Sequence, residues 1–169
     1  MVEGNSEPCI FCEIVTGRSS ARVLLVNDEC ISFLDIAPAS IGHALIIPKV
    51  HYRDIYDIDS GVLSQVMKMT KEVAELIDVS LKPEGSSLFQ MNRKVGGQTV
   101  FHFHFHVVPR WSGDGVIDPW VETMGSASEL DEVHKRILNN SSQTYSAMAK
   151  LDVAPGDGAF RTANTLPNR

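Results

Sequence analysis

Apolar positions along this chain follow two different periods. From Arg22 to Lys49 they crowd into three short runs, RVLLVND, CISFLDI and HALIIPK, which predict three strands. Asn27-Asp28 predicts a hairpin turn between the first two, and Pro38 and Gly42 break the chain before the third. Over residues 59–82 the period lengthens. Val62, Leu63, Val66, Met69, Val73, Leu76 and Ile77 recur at three and four, with Lys68, Lys71, Glu72 and Glu75 falling elsewhere. With Asp59 or Ser60 as N-cap this predicts the one long helix of the core, and its methionines read as packing. SSLFQMN predicts a fourth strand, RKVGGQ a loop, and FHFHFHVV a fifth strand ended by Pro109. A short helix is expected after Cys12, ending near Gly17. Ser126 and Glu129 have capping-box spacing at the head of a last helix, SASELDEVHKRIL, with a modest stripe of Leu130, Val133 and Ile137.

These elements predict an α+β domain. Residues 1–8 read as a flexible lead-in, 9–112 as the domain, and 113–138 as a helical extension. Residues 139–169 are rich in Ser, Gly, Asn and Pro without sustained periodicity and read as a tail or wrapping arm. At 169 residues the chain can bury one sizeable core and is short for two.

Composition narrows the class. Fifteen basic against twenty-one acidic residues, with no basic stripe, argue against a nucleic-acid polymer as partner, though not against a small anionic ligand in a local pocket. No apolar run approaches the ~20 residues that span a bilayer. The polar start MVEGNSEP is not a signal peptide, and three cysteines point to a reducing cytoplasm, not a disulfide scaffold.

The candidate chemistry sits in QTVFHFHFHVVPR, residues 98–110. On a strand, His102, His104 and His106 share one face, while Phe101, Phe103, Phe105 and Val107 cover a core on the other. A purely structural role fits poorly, because three buried imidazoles would each need a partner. Residues two apart on a strand are ~6.6 Å apart and residues four apart ~13 Å, so one ion can use a neighbouring pair but not all three. At least one imidazole is left for nucleophilic or acid–base work, for which a neutral ring pinned at one nitrogen is suited. The preceding GGQT adds what phosphoryl chemistry needs: Gly96 and Gly97 for close backbone approach, Gln98 and Thr99 for side-chain donors.

His-φ-His-φ-His-φ-φ, with φ apolar, resembles the motif of the histidine triad (HIT) superfamily of nucleotide hydrolases and transferases. CIFCEIVTG, FLDIAPASIGHALIIPKVH, QMN and GGQTVFHFHFHVVPR resemble family segments in the same order, over roughly residues 9–110. The pattern is most similar to bacterial members between the Hint and fragile-histidine-triad branches. The resemblance implies a five-stranded antiparallel sheet with one long and one short helix, paired into a homodimer. It implies that His104 attacks the α-phosphorus to form a nucleotidyl-histidine, that His106 meets the phosphate or assists the leaving group, and that His43 and His102 orient them. Asp35 matches the ribose-holding residue. Ile10, Phe11, Ile14, Phe33, Ile36 and Leu45 match positions near a purine, where a plain core role competes. Asn92, Gly97, Gln98 and Thr99 match phosphate-binding positions, Thr99 standing where many Hint relatives carry Ser.

Cys9-x-x-Cys12 admits three readings: half of a structural zinc site, two reduced structural thiols, or a redox pair, which lacks its usual βαβ setting. In zinc-binding bacterial relatives the residues matching His51 and His102 complete the ligand set, so the resemblance implies zinc on Cys9, Cys12, His51 and His102. Cys30 reads as a core thiol and His134 as a surface residue. The implied function is release of a nucleoside monophosphate, AMP by resemblance, from phosphoramidates or dinucleoside polyphosphates. The rivals are a nucleotide-binding scaffold with incidental turnover and a nucleotidyltransferase. Transferase relatives carry Gln where this chain has His106.

Overall fold

The structure, a computed structural model, describes residues 9–116 and 125–144, which fall in two compact units, one on either side of Asp118 and Pro119. In the first, the element order is α1 (Ile10–Val15), β1 (Val23–Val26), β2 (Cys30–Leu34), β3 (Ala44–Pro48), α2 (Ser60–Leu81), β4 (Gly85–Gln90) and β5 (Phe105–Arg110). The strands form one antiparallel sheet in the order β1-β2-β3-β5-β4, so the expected five-stranded α+β architecture is observed.

The turn at Asn27 forms because its side-chain Oδ1 accepts from the N–H groups of Glu29 and Cys30 at 3.0 and 2.7 Å. Asp59 caps α2 by accepting from Gly61 and Val62 N–H at 2.8 and 3.2 Å. Val66, Met69, Val73 and Ile77 of α2 are buried against Cys30, Ala44, Ile46, Phe103 and Val107. Leu76, expected in that stripe, is 41% exposed at its margin. Thr70 is buried on the same face, its hydroxyl donating to Val66 C=O at 2.8 Å. On the sheet's other face Phe11 of α1 packs with Ile31, Phe33, Leu45 and Ile47. Alternation therefore gives β2 and β3 two buried faces, and the α1 face carries the site.

Three of the boundaries that differ from the sequence reading bear on the site. Helix α1 begins at Ile10, so Cys9 is its N-cap and Cys12 lies within it. Strand β5 begins at Phe105, and His102 and His104 precede it. On one side the ladder to β3 ends at Ile46↔Phe105, two residues before Pro48, which has no N–H to extend it; on the other, β4 ends at Gln90↔Phe105. The strand also runs through Pro109 instead of ending there. Beyond Ala44↔Val107 only β4 flanks β5, so the missing N–H at Pro109 costs no bond to β3. Outside the regular strand Phe101 loses its expected core position and is 46% exposed.

In the second unit the described element is α3 (Ala127–Thr144). Ser126 accepts from Glu129 N–H at 3.3 Å, as the capping-box spacing implied, while its hydroxyl donates to the Glu129 carboxylate at 2.6 Å. The helix continues past Leu138 into the segment read as tail; the lead-in 1–8 and residues 145–169 lie outside the described residues. Leu130, Val133 and Ile137 of its stripe are exposed, as is His134. Among the described residues no helix is long and apolar enough to cross a membrane.

Candidate active site and metal cluster

Backbone hydrogen bonds assign the tautomers of His102, His104 and His43, and His43 in turn assigns that of His106. His102 Nε2 lies 2.9 Å from Pro48 C=O, which can only accept, so the hydrogen is on Nε2 and Nδ1 keeps its lone pair. His104 Nδ1 lies 2.6 Å from His102 C=O, which by the same logic leaves a lone pair on His104 Nε2. His43 Nδ1 accepts from Ala39 N–H at 3.0 Å, so His43 Nε2 carries the hydrogen and donates to His106 Nδ1 at 2.9 Å. His106 in turn keeps its hydrogen on Nε2. The result is a bare nitrogen on His104 beside an N–H donor on His106, the two rings 4.8 Å apart between centroids.

Burial keeps these rings neutral. It pushes His104 and His43 below the ordinary histidine value, and the neighbouring His104 and His43 add to burial in taking His106 down to about 4. Burial likewise takes His102 down to about 4, against the Pro48 hydrogen bond. Asp35 opposes the shift at His43 from 3.7 Å away.

A cavity of about 220 Å³ opens over His104 and His106. Of the residues expected to contact nucleotide, Ile10, Phe11, Ile14, Phe33, Asp35, Ile36, Leu45 and Thr99 line it. Ser19, Ser20, Ala21, Leu34 and Val100 also line it and were not anticipated; the small, polar run after Gly17 was the available signal for the first three. Asn92, Gly97 and Gln98 do not line it.

Gln98 is a brace, not the expected free donor. It is buried, its two amide hydrogens go to Arg53 and Val100 C=O at 2.6 and 3.1 Å, and its Oε1 accepts from Arg93 N–H at 2.7 Å. That clasp holds Arg93 at φ 62°, a left-handed value unusual for a residue with a Cβ. Asn92 is similarly engaged: Oδ1 accepts from Ile55 N–H at 2.8 Å and Nδ2 donates to Gln90 Oε1 at 2.6 Å. Gly97 at φ 90° closes the turn, where a Cβ would come within 3.1 Å of Met91 Sδ.

Behind the triad, Cys9, Cys12, His51 and His102 bring their ligand atoms within 4.8 Å of one another. His102 Nδ1, the nitrogen left bare by the Pro48 bond, is 3.5 Å from Cys9 Sγ and 3.6 Å from Cys12 Sγ; His51 Nδ1 is 3.3 Å from Cys12 Sγ. Zn–S of about 2.3 Å and Zn–N of about 2.0 Å at tetrahedral angles require S···N separations of about 3.5 Å. The donor set therefore fits a tetrahedral thiophilic cation, and the cysteines are unpaired by any disulfide. His104 contributes no ligand atom to this cluster and lines the cavity instead, so the three histidines do not serve one group. Asp35, His43 and His106 also bring ligand atoms together, but inside the cavity, where their hydrogen bonds already account for them.

A sheet with an α1-face histidine triad, two of its rings in one cavity, defines a histidine triad protein. The HIT domain family matches residues 16–113, and the chain belongs to that family. It is 34% identical over 131 residues to the adenosine 5'-monophosphoramidase HNT1 of Saccharomyces cerevisiae, covering 77% of this chain and 80% of that protein. Among solved structures it resembles a HIT family protein from Bacillus anthracis at TM-score 0.73 and 30% identity, over 79% of this chain and 97% of that one. A Zn-bound histidine triad family protein from Mycobacterium smegmatis aligns at TM-score 0.62 and 33% identity, over 67% of this chain and 84% of that one.

Proposed function

We propose that the protein is a nucleotide hydrolase that releases a nucleoside monophosphate, AMP first among them, from a phosphoramidate or a dinucleoside polyphosphate. One observation carries this: His104 presents a neutral, bare Nε2 to the cavity, held by a main-chain carbonyl, with the His106 Nε2–H beside it. In the first step Nε2 forms a bond to the α-phosphorus as the phosphorus–nitrogen bond of a phosphoramidate breaks, and the departing amine takes a proton from solvent. In the second, water attacks phosphorus, the His104–phosphorus bond breaks, and a proton returns to solvent. His106 Nε2–H stabilises the charge that develops on a phosphoryl oxygen, and Phe33, Leu45, Ile10 and Ile14 supply an apolar wall for the base. Asp35 is the ribose acceptor, Thr99 the phosphate-side hydroxyl, and Gln98, Asn92 and Gly97 shape the loop before it.

The relative named a 5'-monophosphoramidase supports the reaction class. Zinc on Cys9, Cys12, His51 and His102 belongs to the same proposal, supported by the fit of the donor atoms and by the Zn-bound relative. It would brace α1 and the residue-102 segment, with no part in bond making. The homodimer implied by the resemblance is part of the proposal too and is read by native mass.

The test is AMP release from adenosine phosphoramidate by the intact protein and by His104→Ala. Turnover by the first and a loss of at least a thousandfold in the second are expected. Equal rates, or none for the intact protein, refute the proposal; tight nucleotide binding without turnover favours the scaffold reading.

A further inference from the structure

We propose that the Cys9–Cys12–His51–His102 cluster positions the nucleophile and one wall of the nucleotide cavity, so that occupancy by a divalent thiophilic cation sets nucleotide affinity and turnover. The inference rests on the reading of His104 as nucleophile and adds a controlling role to a site otherwise taken as a brace.

Residue 102 works in two directions. Its ring faces the thiols at 3.5 and 3.6 Å, and its carbonyl accepts from His104 Nδ1 at 2.6 Å. The ring is already held on its far side by Pro48 C=O, and a ligand bond at Nδ1 would further restrain the residue whose carbonyl sets the tautomer and aim of His104. Only the few rotatable bonds of one residue lie between them.

Helix α1 repeats this economy. In Cys9-Ile10-Phe11-Cys12 two ligands bracket two cavity-lining residues. The Phe11 ring stands edge-on to His104 at 5.3 Å and to His102 at 5.8 Å, so it backs both rings at once. The helix has six residues, and its N-cap makes no side-chain hydrogen bond to the first turn. Helices this short are not stable by themselves, since nucleation outweighs what a few bonds return. Two metal ligands, one at its cap and one in its first turn, would therefore tether the wall that Ile10, Phe11 and Ile14 form. The cluster is also asymmetric: His51 is exposed and His102 fully buried. A cation can thus exchange from the His51 side while its effect is felt on the side of the nucleophile.

The experiment uses the full chain loaded with Zn²⁺ and the same chain stripped by a chelator. AMP affinity is read by titration calorimetry and amide exchange is followed over residues 10–16. Stripping is expected to weaken AMP at least tenfold and to speed exchange in α1 at least tenfold, with Zn²⁺ restoring both. By reciprocity AMP should tighten Zn²⁺ by the same factor. Unchanged affinity and exchange overturn the proposal. His51→Gln removes the exposed ligand and leaves every cavity-lining residue in place, so Zn²⁺ content and AMP affinity should fall together; lowered Zn²⁺ content with unchanged AMP affinity overturns the proposal. If stripping unfolds the chain, seen by circular dichroism, the His51→Gln arm decides. Metal-dependent AMP affinity without hydrolysis would refute only the hydrolase reading. Equal hydrolysis with and without metal would refute only the coupling. A loaded chain that binds no AMP removes the nucleotide reading, and exchange in α1 then decides.

Discussion

His43 Nε2 donates to His106 Nδ1 across 2.9 Å, and Ala39 N–H holds the far side of the His43 ring at 3.0 Å. A residue with no place in the triad motif thereby chooses which nitrogen of His106 faces the cavity. His43→Phe keeps a buried aromatic ring, one atom larger, and deletes the donor. One misdirected hydrogen bond is worth about 1–3 kcal/mol, so kcat should fall about 10- to 100-fold. KM should stay within about threefold, because the nucleotide wall is untouched. Steady-state kinetics on adenosine phosphoramidate checks the split.

Acid should act through the same pair. Burial places His106 at about 4 against an ordinary 6.5. Its Nδ1 is then free to accept from His43 at any pH above that value, and protonation breaks the bond. Turnover should stay level on this account from neutral pH downward and fall as pH passes through about 4. Stability follows a different window. A histidine whose folded value is lowered binds fewer protons folded than unfolded, so stability is complete above 6.5 and declines as pH drops from 6.5 toward 4. Urea midpoints across that range give the sign directly.

Gln98→Ala tests the bracing role. It leaves the Arg53 and Val100 carbonyls and the Arg93 N–H, part-buried partners of the amide, without it, at about 1–3 kcal/mol for stranded groups. A loss of about 2–4 kcal/mol in chemical denaturation is expected, with exchange rising over residues 92–98. An unchanged midpoint would return Gln98 to the role of a free donor.

Phe103→Ala should cost about 3–5 kcal/mol, the usual range for emptying a buried aromatic site. Phe103 is fully buried against α2 between two histidines that face the other way. Zn²⁺ content by native mass should be retained, because its ligands sit on the opposite face.

How far the sequence carried follows from which forces are local. Helix α2 was legible to its cap because Asp59 and a 3.6-residue period are properties of neighbouring residues. The strands of β1 to β3 and the turn at Asn27 were legible for the same reason. What could not be read was the state of residues 101–104. It is decided by Pro48, which stops one ladder, and by Tyr52, whose C=O accepts from Phe103 N–H at 2.6 Å. Neither is near in sequence. The surroundings of Gln98 were illegible for a related reason: its type suits phosphate, while its partner Arg53 lies far from it in sequence. That His51 and His102 would join Cys9 and Cys12 came from family resemblance, because no spacing rule links them, and the structure brings the four ligand atoms together. In α3, residues 139–144 are helical despite a composition read as tail, since a capped helix propagates through residues that would not begin one.

The early end of β5 has a consequence for anyone transplanting this motif. In an unbroken interior strand the carbonyl of residue 102 would be claimed by a neighbouring strand, and the imidazole two places on would lose its acceptor. A His-x-His-x-His sequence grafted onto a regular strand would reproduce the row of rings without deciding which nitrogen of the middle one is basic. The transferable unit is the histidine row together with the interruption in the sheet beside it.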